Sequence, residues 1–381
     1  MTLDLGQLGG QIRALGGHLA GDQDGYQERL AMARALLAAT AAADLAAVAE
    51  EGAAACPREA PATRVPCPPL PPAYTAMAAD GSQIEPDRHA PALWYLLNLG
   101  AACIEYGPRP RAELASEPTL YYRREDLYVT VGNREAPLEG NRLELRRHVA
   151  EMARLADLAE RARARGAPAP VALADGQLLL WNHRIEDFVR DQLTAAFQDA
   201  LRRCIAAAVP VAGYISRPRA TDVLDLLRRL PAHRATCPRC DGAAREQPCT
   251  LGGLHDRALF ADLAEGERSA LFEARGLAGR YPPELRPWFC YLNVGREVAR
   301  LEILAWAAER ADLRARLHAV VVEQCRLGGG YPVVLARAHE QAVVTAGDRR
   351  RVNELVRRAL AGHGLPDQPS AKQAAKLARA V

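Results

Sequence analysis

The sequence predicts a mixed α/β fold: a sheet flanked by helices and preceded by an N-terminal helical segment. Two observations carry this. Three apolar or alternating stretches between residues 74 and 132 read as a strand meander, and after residue 141 helical and strand periods take turns. A sheet that opens as a meander and continues as helix, strand, helix, strand packs helices on its faces.

Residues 24–55, DGYQERLAMARALLAATAAADLAAVAEEGAAA, read as one or two alanine-rich helices. Residues 56–73, CPREAPATRVPCPPLPPA, hold too many prolines for either regular element and form an extended linker. The meander strands are YTAMAADGSQI, PALWYLLNLGAACIEYG and TLYYRREDLYVTVG. From Arg142 to Arg165 the period becomes helical. Leu143, Leu145, Val149, Met152, Leu155 and Leu158 form an apolar stripe, and Gly166 stops the helix. Then follow a strand in PVALADG, a helix near RIEDFVRDQLTAAFQDALRRCIAAA, a strand in VPVAGYISRP and a helix in TDVLDLLRRL. A cysteine-containing insert spans 233–256. Beyond it the pattern predicts a helix near 257–275, a strand in PWFCYLNVG and an edge-like strand in EVARLEILAW. A helix near 308–326, the segment GGGYPVVLARAHEQAVV and a helix in DRRRVNELVRRAL complete the order, before the basic tail SAKQAAKLARAV.

Composition sets the outer limits. The 381 residues allow one large domain or two ordinary ones, and 49% apolar with 25% charged residues is normal for a globular chain. The net charge of +3 names no partner by itself. Nearly all positive charge is arginine, since Lys372 and Lys376 are the only lysines. No apolar run reaches membrane-spanning length and the N-terminus lacks a basic start followed by an apolar stretch, so a cytoplasmic protein is expected. Nine scattered cysteines do not form a disulfide framework.

Two stretches end an apolar run in Ala-Asp-Gly: TAMAADGSQI and VALADGQLLL. Taken alone, each Asp-Gly reads first as a hairpin turn, because both residues tolerate positive φ. The alternative makes Asp80 and Asp175 carboxylates at the ends of a first and a fourth strand, side by side if the intervening helix crosses over the sheet. Paired carboxylates suit Mg²⁺ or Mn²⁺, and two such ions can activate water and stabilise the leaving oxygen of a phosphodiester. A helix carboxylate would complete the set, and Glu144 and Glu151, one heptad apart, share a face. Downstream, Tyr331 and His339 flank a short apolar stretch after three glycines. A histidine can ligate a metal or donate a proton, and a packed core histidine is the ordinary alternative.

The stretches AADGSQI, LADGQLLLW, AGYISRPR, GERSALF and GYPVVLARAHEQAVV, in that order along the chain, resemble the NurA nuclease family over roughly residues 70–360. The resemblance implies a ribonuclease H-like core and a Mn²⁺-dependent 5′→3′ exonuclease and single-strand endonuclease. It also implies a homodimer acting with a hexameric ATPase translocase, HerA, in resecting DNA ends. On it, Asp80 and Asp175 match metal-binding aspartates, and Tyr331 and His339 match the C-terminal tyrosine and histidine. Glu151 is the preferred helix glutamate, with Glu144 and Glu160 left open. The divisions expected are a helical segment and linker at 1–69, the nuclease domain at 70–362 and a basic tail at 363–381. One or two Mn²⁺ or Mg²⁺ ions on Asp80, Glu151 and Asp175 would drive hydrolysis. His339 would serve as a further ligand or steady the leaving oxygen, and Tyr331 would orient the site. Arg217 and Arg219, after a core strand, read either as phosphate contacts or as a solvated strand end.

Within the insert, Cys237, Cys240, Cys249 and His255 offer an acceptable tetrahedral zinc set that would be structural, its second half irregularly spaced; a loop with reduced, partly buried cysteines is the ordinary alternative. Cys56, Cys67, Cys103, Cys204, Cys290 and Cys325 lack ligand spacing and read as packing residues. The tail and the N-terminal helices are candidate DNA or partner contacts. Two other functions fit the residues: a catalytically weak DNA-binding adaptor of the ATPase, and a metal-dependent phosphoesterase for small nucleotides.

Overall fold

Alanine-rich strands with no large side chain let helices approach a sheet closely from both faces. In Tyr74–Ile84, β1, the short side chains of Ala76, Ala78 and Ala79 are buried between the larger Tyr74, Met77 and Ile84. The computed structural model describes every residue except 1–4, 6–7, 22, 51, 53, 89, 132–133, 181–186, 243–245, 247 and 366–381. The chain divides into two compact units, one formed by residues 68–214, 283–285 and 302–381, the other by 1–67, 215–282 and 286–301.

In the first unit β1 is followed by β2 (Tyr95–Tyr106) and β3 (Arg111–Tyr121), antiparallel neighbours in the order of the chain. Helix α1 (Asn141–Ala164) then crosses over to β4 (Pro170–Asp175), parallel to β1. Helix α2 (Asp187–Ala206) leads to β5 (Val211–Ile215), parallel to β4. The last residues of β6 (Val298–Leu304), from Glu302 on, lie in this unit beside β5, so the order is β6-β5-β4-β1-β2-β3. A meander of three followed by two parallel strands on the far side of its first member is the ribonuclease H-like core that the resemblance implies. Helices α3 (Ala311–Leu327), α4 (Val333–Ala342) and α5 (Ala346–Gly362) complete the unit.

Helix α1 buries Leu143, Leu145, Met152, Leu155 and Leu158, as the stripe predicts. It ends where Gly166, at φ +69°, turns the chain so that the Ala167 amide donates to the Ala162 carbonyl. Helix α4 is clamped at both ends. At its start Gln324, wholly buried on α3, accepts a hydrogen bond from the Val334 amide at 3.0 Å. At its end the Asn98 amide of β2 donates to the carbonyls of Gln341 and Ala342, and Ser82 of β1 donates to the same Ala342 carbonyl. Between these clamps the helix backbone lies on Gly100 of β2.

In the second unit Ala55–Pro57 pairs antiparallel with Phe272–Ala274, which pairs in turn with Pro287–Asn293. Phe260, Phe272, Phe289 and Tyr291 stack in its core. Buried Asp256 accepts hydrogen bonds from the Val223 and Leu224 amides and the Tyr291 hydroxyl, capping the helix Asp222–Arg229 from a distant part of the chain.

Four sequence expectations are corrected. The third meander strand is 111–121 rather than 119–132. Its residues RAELASEPTLY are mostly exposed and so carry no apolar signal, while Arg124–Leu127 form one helical turn ahead of a small hairpin. The helix expected near 257–275 is a single turn, Asp256–Leu259, because Gly266 at φ +79° turns the chain into the short strands Arg268–Ser269 and Phe272–Ala274. The edge-like strand β6 is buried, its Arg300 held by Asp222 and stacked on Phe289, and its Glu302 accepting from the Leu178 amide. Asp80-Gly81 is not a turn: the β1–β2 ladder runs through it, pairing Asp80 with Gly100 and Gly81 with Leu99. Residues 366–381, most of the expected tail, lie outside the described residues. Among the described residues, no single helix is long and apolar enough to cross a membrane.

A Cβ at Gly100 would sit 2.2 Å from the Ala338 carbonyl oxygen and 2.4 Å from the Ala342 amide, both backbone atoms of a clamped helix. Gly100→Ala is therefore expected to cost about 1–3 kcal/mol in a urea titration, the usual range for overpacking. Gly362→Ala, with open space around it, should cost nothing.

Candidate active site

Successive residues of a strand face opposite sides of the sheet, so Asp80 and Gly81 look in opposite directions. Asp80 faces α4. There the His339 Nδ1 lies 2.7 Å from Asp80 Oδ2, with the imidazole largely exposed (69%) and the carboxylate mostly covered (16%). Asp175 stands beside it. The β1–β4 register pairs Ala79 with Ala174, so the two aspartates follow in step on neighbouring strands and face the same side. Gly176, at φ +106°, then bends the chain away and leaves the Asp175 carboxylate open. The bend packs on Gly213 of β5, where a Cβ would meet the Gly176 carbonyl at 2.4 Å. Here the Asp-Gly turn reading and the ligand reading hold together.

Glu151 arrives from the other side of the sheet. It projects from α1 into the space that Gly81 leaves empty, where a Cβ would lie 2.7 Å from Glu151 Oε1. The Arg147 guanidinium holds it there, donating to Glu151 Oε1 at 2.6 Å and to the Gly81 carbonyl at 2.8 Å. Burial pushes the Glu151 carboxyl up to about 8; Arg147 pulls it back, and Asp80 and Asp175 add to the rise. Asp175 is raised as well, by the protein packed around it and by the Asp80 charge, while a hydrogen bond from Tyr331 works in the opposite sense. The Tyr331 hydroxyl donates to Asp175 and is itself raised by burial and by that carboxylate. Its ring meets Tyr214 edge-on, 5.5 Å between centroids.

The GGG run positions that tyrosine. A Cβ on Gly328 would lie 1.9 Å from the Tyr331 carbonyl, and Gly329 and Gly330 take φ of +65° and +115°. Beside the carboxylates a cavity of about 260 Å³ is lined by Ala79, His148, Glu151, Asp175, Gln177 and Phe197, among others. His148 and Arg147 are site residues that sequence reasoning missed. Burial, then the neighbouring Arg147 charge, lowers the His148 imidazole. The Arg147–Glu151 spacing of four on a helix was the available signal. Of the other glutamates kept open, Glu144 is exposed, and Glu160 is taken by Arg203 on α2.

Oxygen donors from three carboxylates, with one imidazole at the rim, suit a hard divalent cation, whose charge would offset the burial and the neighbouring negative charge that raise Glu151 and Asp175. The donors are more widely spaced than a closed metal cluster. Among the described residues, the group whose donor atoms all fall within 4.8 Å of one another is a different one, in the other unit. That group is His233, Cys237, Cys240 and Cys249. His255, expected as the fourth zinc ligand, is not in it: its Nδ1 lies 3.0 Å from the Arg219 carbonyl, six residues beyond Cys249 and at the start of another helical turn. Arg217 and Arg219 also lie in that second unit, and both are exposed. Arg217 takes a φ of +43°, its carbonyl accepts from Arg257, and its side chain approaches Glu297 at 3.8 Å.

The NurA domain family model matches residues 74–344. The chain belongs to the NurA nuclease family. Every carboxylate, tyrosine and histidine of the site falls inside that match. A comparison with curated proteins found no match. Among solved structures the chain is similar to RuvC from Thermus thermophilus, at 16% identity and a TM-score of 0.17 over 36% of this chain and 62% of that one. It thus spans less than two thirds of the RuvC chain. It is also similar to the catalytic domain of human Endonuclease V, at 12% identity and a TM-score of 0.28 over 77% of this chain and 85% of that one.

Gly81→Ala tests how the third carboxylate reaches the site. The added methyl meets side-chain atoms of Glu151 and Arg147, which can swing aside, so the stability loss should stay near 1 kcal/mol, the low end of overpacking. Mn²⁺ affinity measured by titration calorimetry should fall about tenfold or more, as when a ligand is misplaced. Unchanged affinity would contradict this geometry.

Proposed function

We propose that this NurA-family chain is a metal-dependent deoxyribonuclease. It would combine 5′→3′ exonuclease with single-strand endonuclease activity, and act in the cytoplasm in DNA end resection with a HerA-type hexameric ATPase. One observation carries the reading: two aspartates on neighbouring strands and a glutamate reaching through the Gly81 gap converge beside an aspartate-bound histidine. Asp80, Glu151 and Asp175 would hold one or two Mn²⁺ or Mg²⁺ ions, with His339 available as a further ligand. Such ions, when bound, supply the charge that activates water and stabilises the leaving oxygen.

The chain's own residues do the rest. Tyr331 donates to Asp175 and fixes the direction of its carboxylate. Arg147 holds Glu151 in place and partly offsets its negative charge. His339, anchored on Asp80 and otherwise open to solvent, is placed to give a proton to the departing oxygen. Exposed Arg217 and Arg219 support a phosphate-backbone contact. Exposed Ile12 and Leu15 on the N-terminal helix Leu8–Gly21 offer an apolar surface for a second copy or for the ATPase. Homodimer and ATPase both come from the family resemblance.

The test is cleavage of labelled single-stranded and duplex DNA with Mn²⁺, Mg²⁺ or EDTA. Asp80→Asn and Asp175→Asn should each lower the rate about a hundredfold or more, the cost of removing groups that position the metal chemistry. EDTA should abolish cleavage. Equal rates for wild type and Asp80→Asn would overturn the assignment. Hydrolysis of small phosphate esters with DNA left intact would replace the substrate class.

A further inference from the structure

We propose that His233, Cys237, Cys240 and Cys249 form a structural zinc site. The four donor atoms lie within 4.8 Å of one another, with His233 and Cys237 buried. Zinc–sulfur bonds of about 2.3 Å and zinc–nitrogen bonds of about 2.0–2.1 Å at tetrahedral angles require S···S near 3.8 Å and S···N near 3.6 Å. Cys240 Sγ to Cys249 Sγ is 3.5 Å, and Cys249 Sγ to His233 Nε2 is 3.6 Å. The side chains already stand around a point where such an ion fits.

Local backbone geometry builds this arrangement. The Cys237 amide donates to the His233 carbonyl and the Cys240 amide to the Cys237 carbonyl, so His233 on the short turn Pro231–Arg234 and Cys240 on the next, Pro238–Asp241, are tied to the extended Cys237 between them. The fourth ligand arrives on a separate turn, where the Gly252 amide donates to the Cys249 carbonyl. The Leu251 amide points at Cys249 Sγ at 3.4 Å, an N–H···S contact of the kind that steadies a thiolate bound to metal. Four protein ligands close the coordination sphere, so the ion would hold structure and do no chemistry.

The place of the site gives it a consequence. The segment leaving Cys249 is fastened to the helix Asp222–Arg229, by Arg228 on the Leu251 carbonyl and by Asp256 on the Val223 and Leu224 amides. It then carries His255 to the Arg219 carbonyl and Arg257 to the Arg217 carbonyl. Zinc would therefore fix the loop that displays the two exposed arginines.

Zinc content of tag-free, full-length protein, washed with a chelator strong enough to strip a carboxylate site, tests the proposal whether or not the chain cleaves DNA. One zinc per chain is expected. It should be kept by His255→Ala and lost to background by His233→Ala and Cys249→Ser. If those variants do not fold, wild type reconstituted with Co²⁺ should show thiolate charge-transfer and tetrahedral ligand-field bands. The proposal is overturned by background zinc in the wild type, by an octahedral Co²⁺ spectrum, by zinc kept in His233→Ala, or by a Cys240–Cys249 disulfide. That disulfide would appear as seven reactive thiols instead of the nine that the sequence holds.

Discussion

The alternation of side chains along β1 is the constraint on which the site depends. At Asp80-Gly81 one residue carries a carboxylate to one face and the next leaves a hole on the other. Through that hole Glu151 joins a pair of aspartates from which the sheet would otherwise separate it. A side chain at 81 would close the passage, and a bulkier residue at 100 would lift α4, and His339 with it, off the opposite face. Two glycines on paired strands therefore set how closely helices approach the two faces of the sheet at the proposed site.

Electrostatics follow from this geometry. Three carboxylates near each other, Asp80 and Glu151 each mostly covered, form an arrangement that a folded chain keeps only with compensation. Arg147, His339 and Tyr331 supply it, each engaging one acidic group. The compensation is incomplete, and Glu151 remains raised to about 8. The divalent cation of the proposed function would offset that remaining cost.

Much of this was legible in the residues and some was not. The two Asp-Gly pairs, the Tyr331–His339 segment and the α1 stripe stood out as patterns, because each repeats or punctuates a regular period. A glycine needed for its φ cannot be told from one needed for its missing side chain, however. Gly176 takes φ +106°, while Gly81 has ordinary strand backbone with Glu151 against it. The choice among Glu144, Glu151 and Glu160 depended on how far α1 slides along β1, which is a tertiary quantity. Arg300 and Glu302 made a buried strand look exposed, since their partners Asp222 and the Leu178 amide are distant in sequence. His233 carried no signal because it lies four residues before Cys237, ahead of the C-x2-C pair instead of after Cys249, and reaches the cluster only through the fold of two short turns.

In the proposed site Glu151 shares a centre with aspartates that face the other side of the sheet. Anomalous diffraction at the manganese edge, from crystals of the protein grown with Mn²⁺, tests this most directly. It should place a peak within bonding distance of carboxylate oxygens of Asp80, Asp175 and Glu151 together, about 2.0–2.6 Å for hard cations. A peak held by Asp80 and His339 alone, with Glu151 still on Arg147, would contradict it.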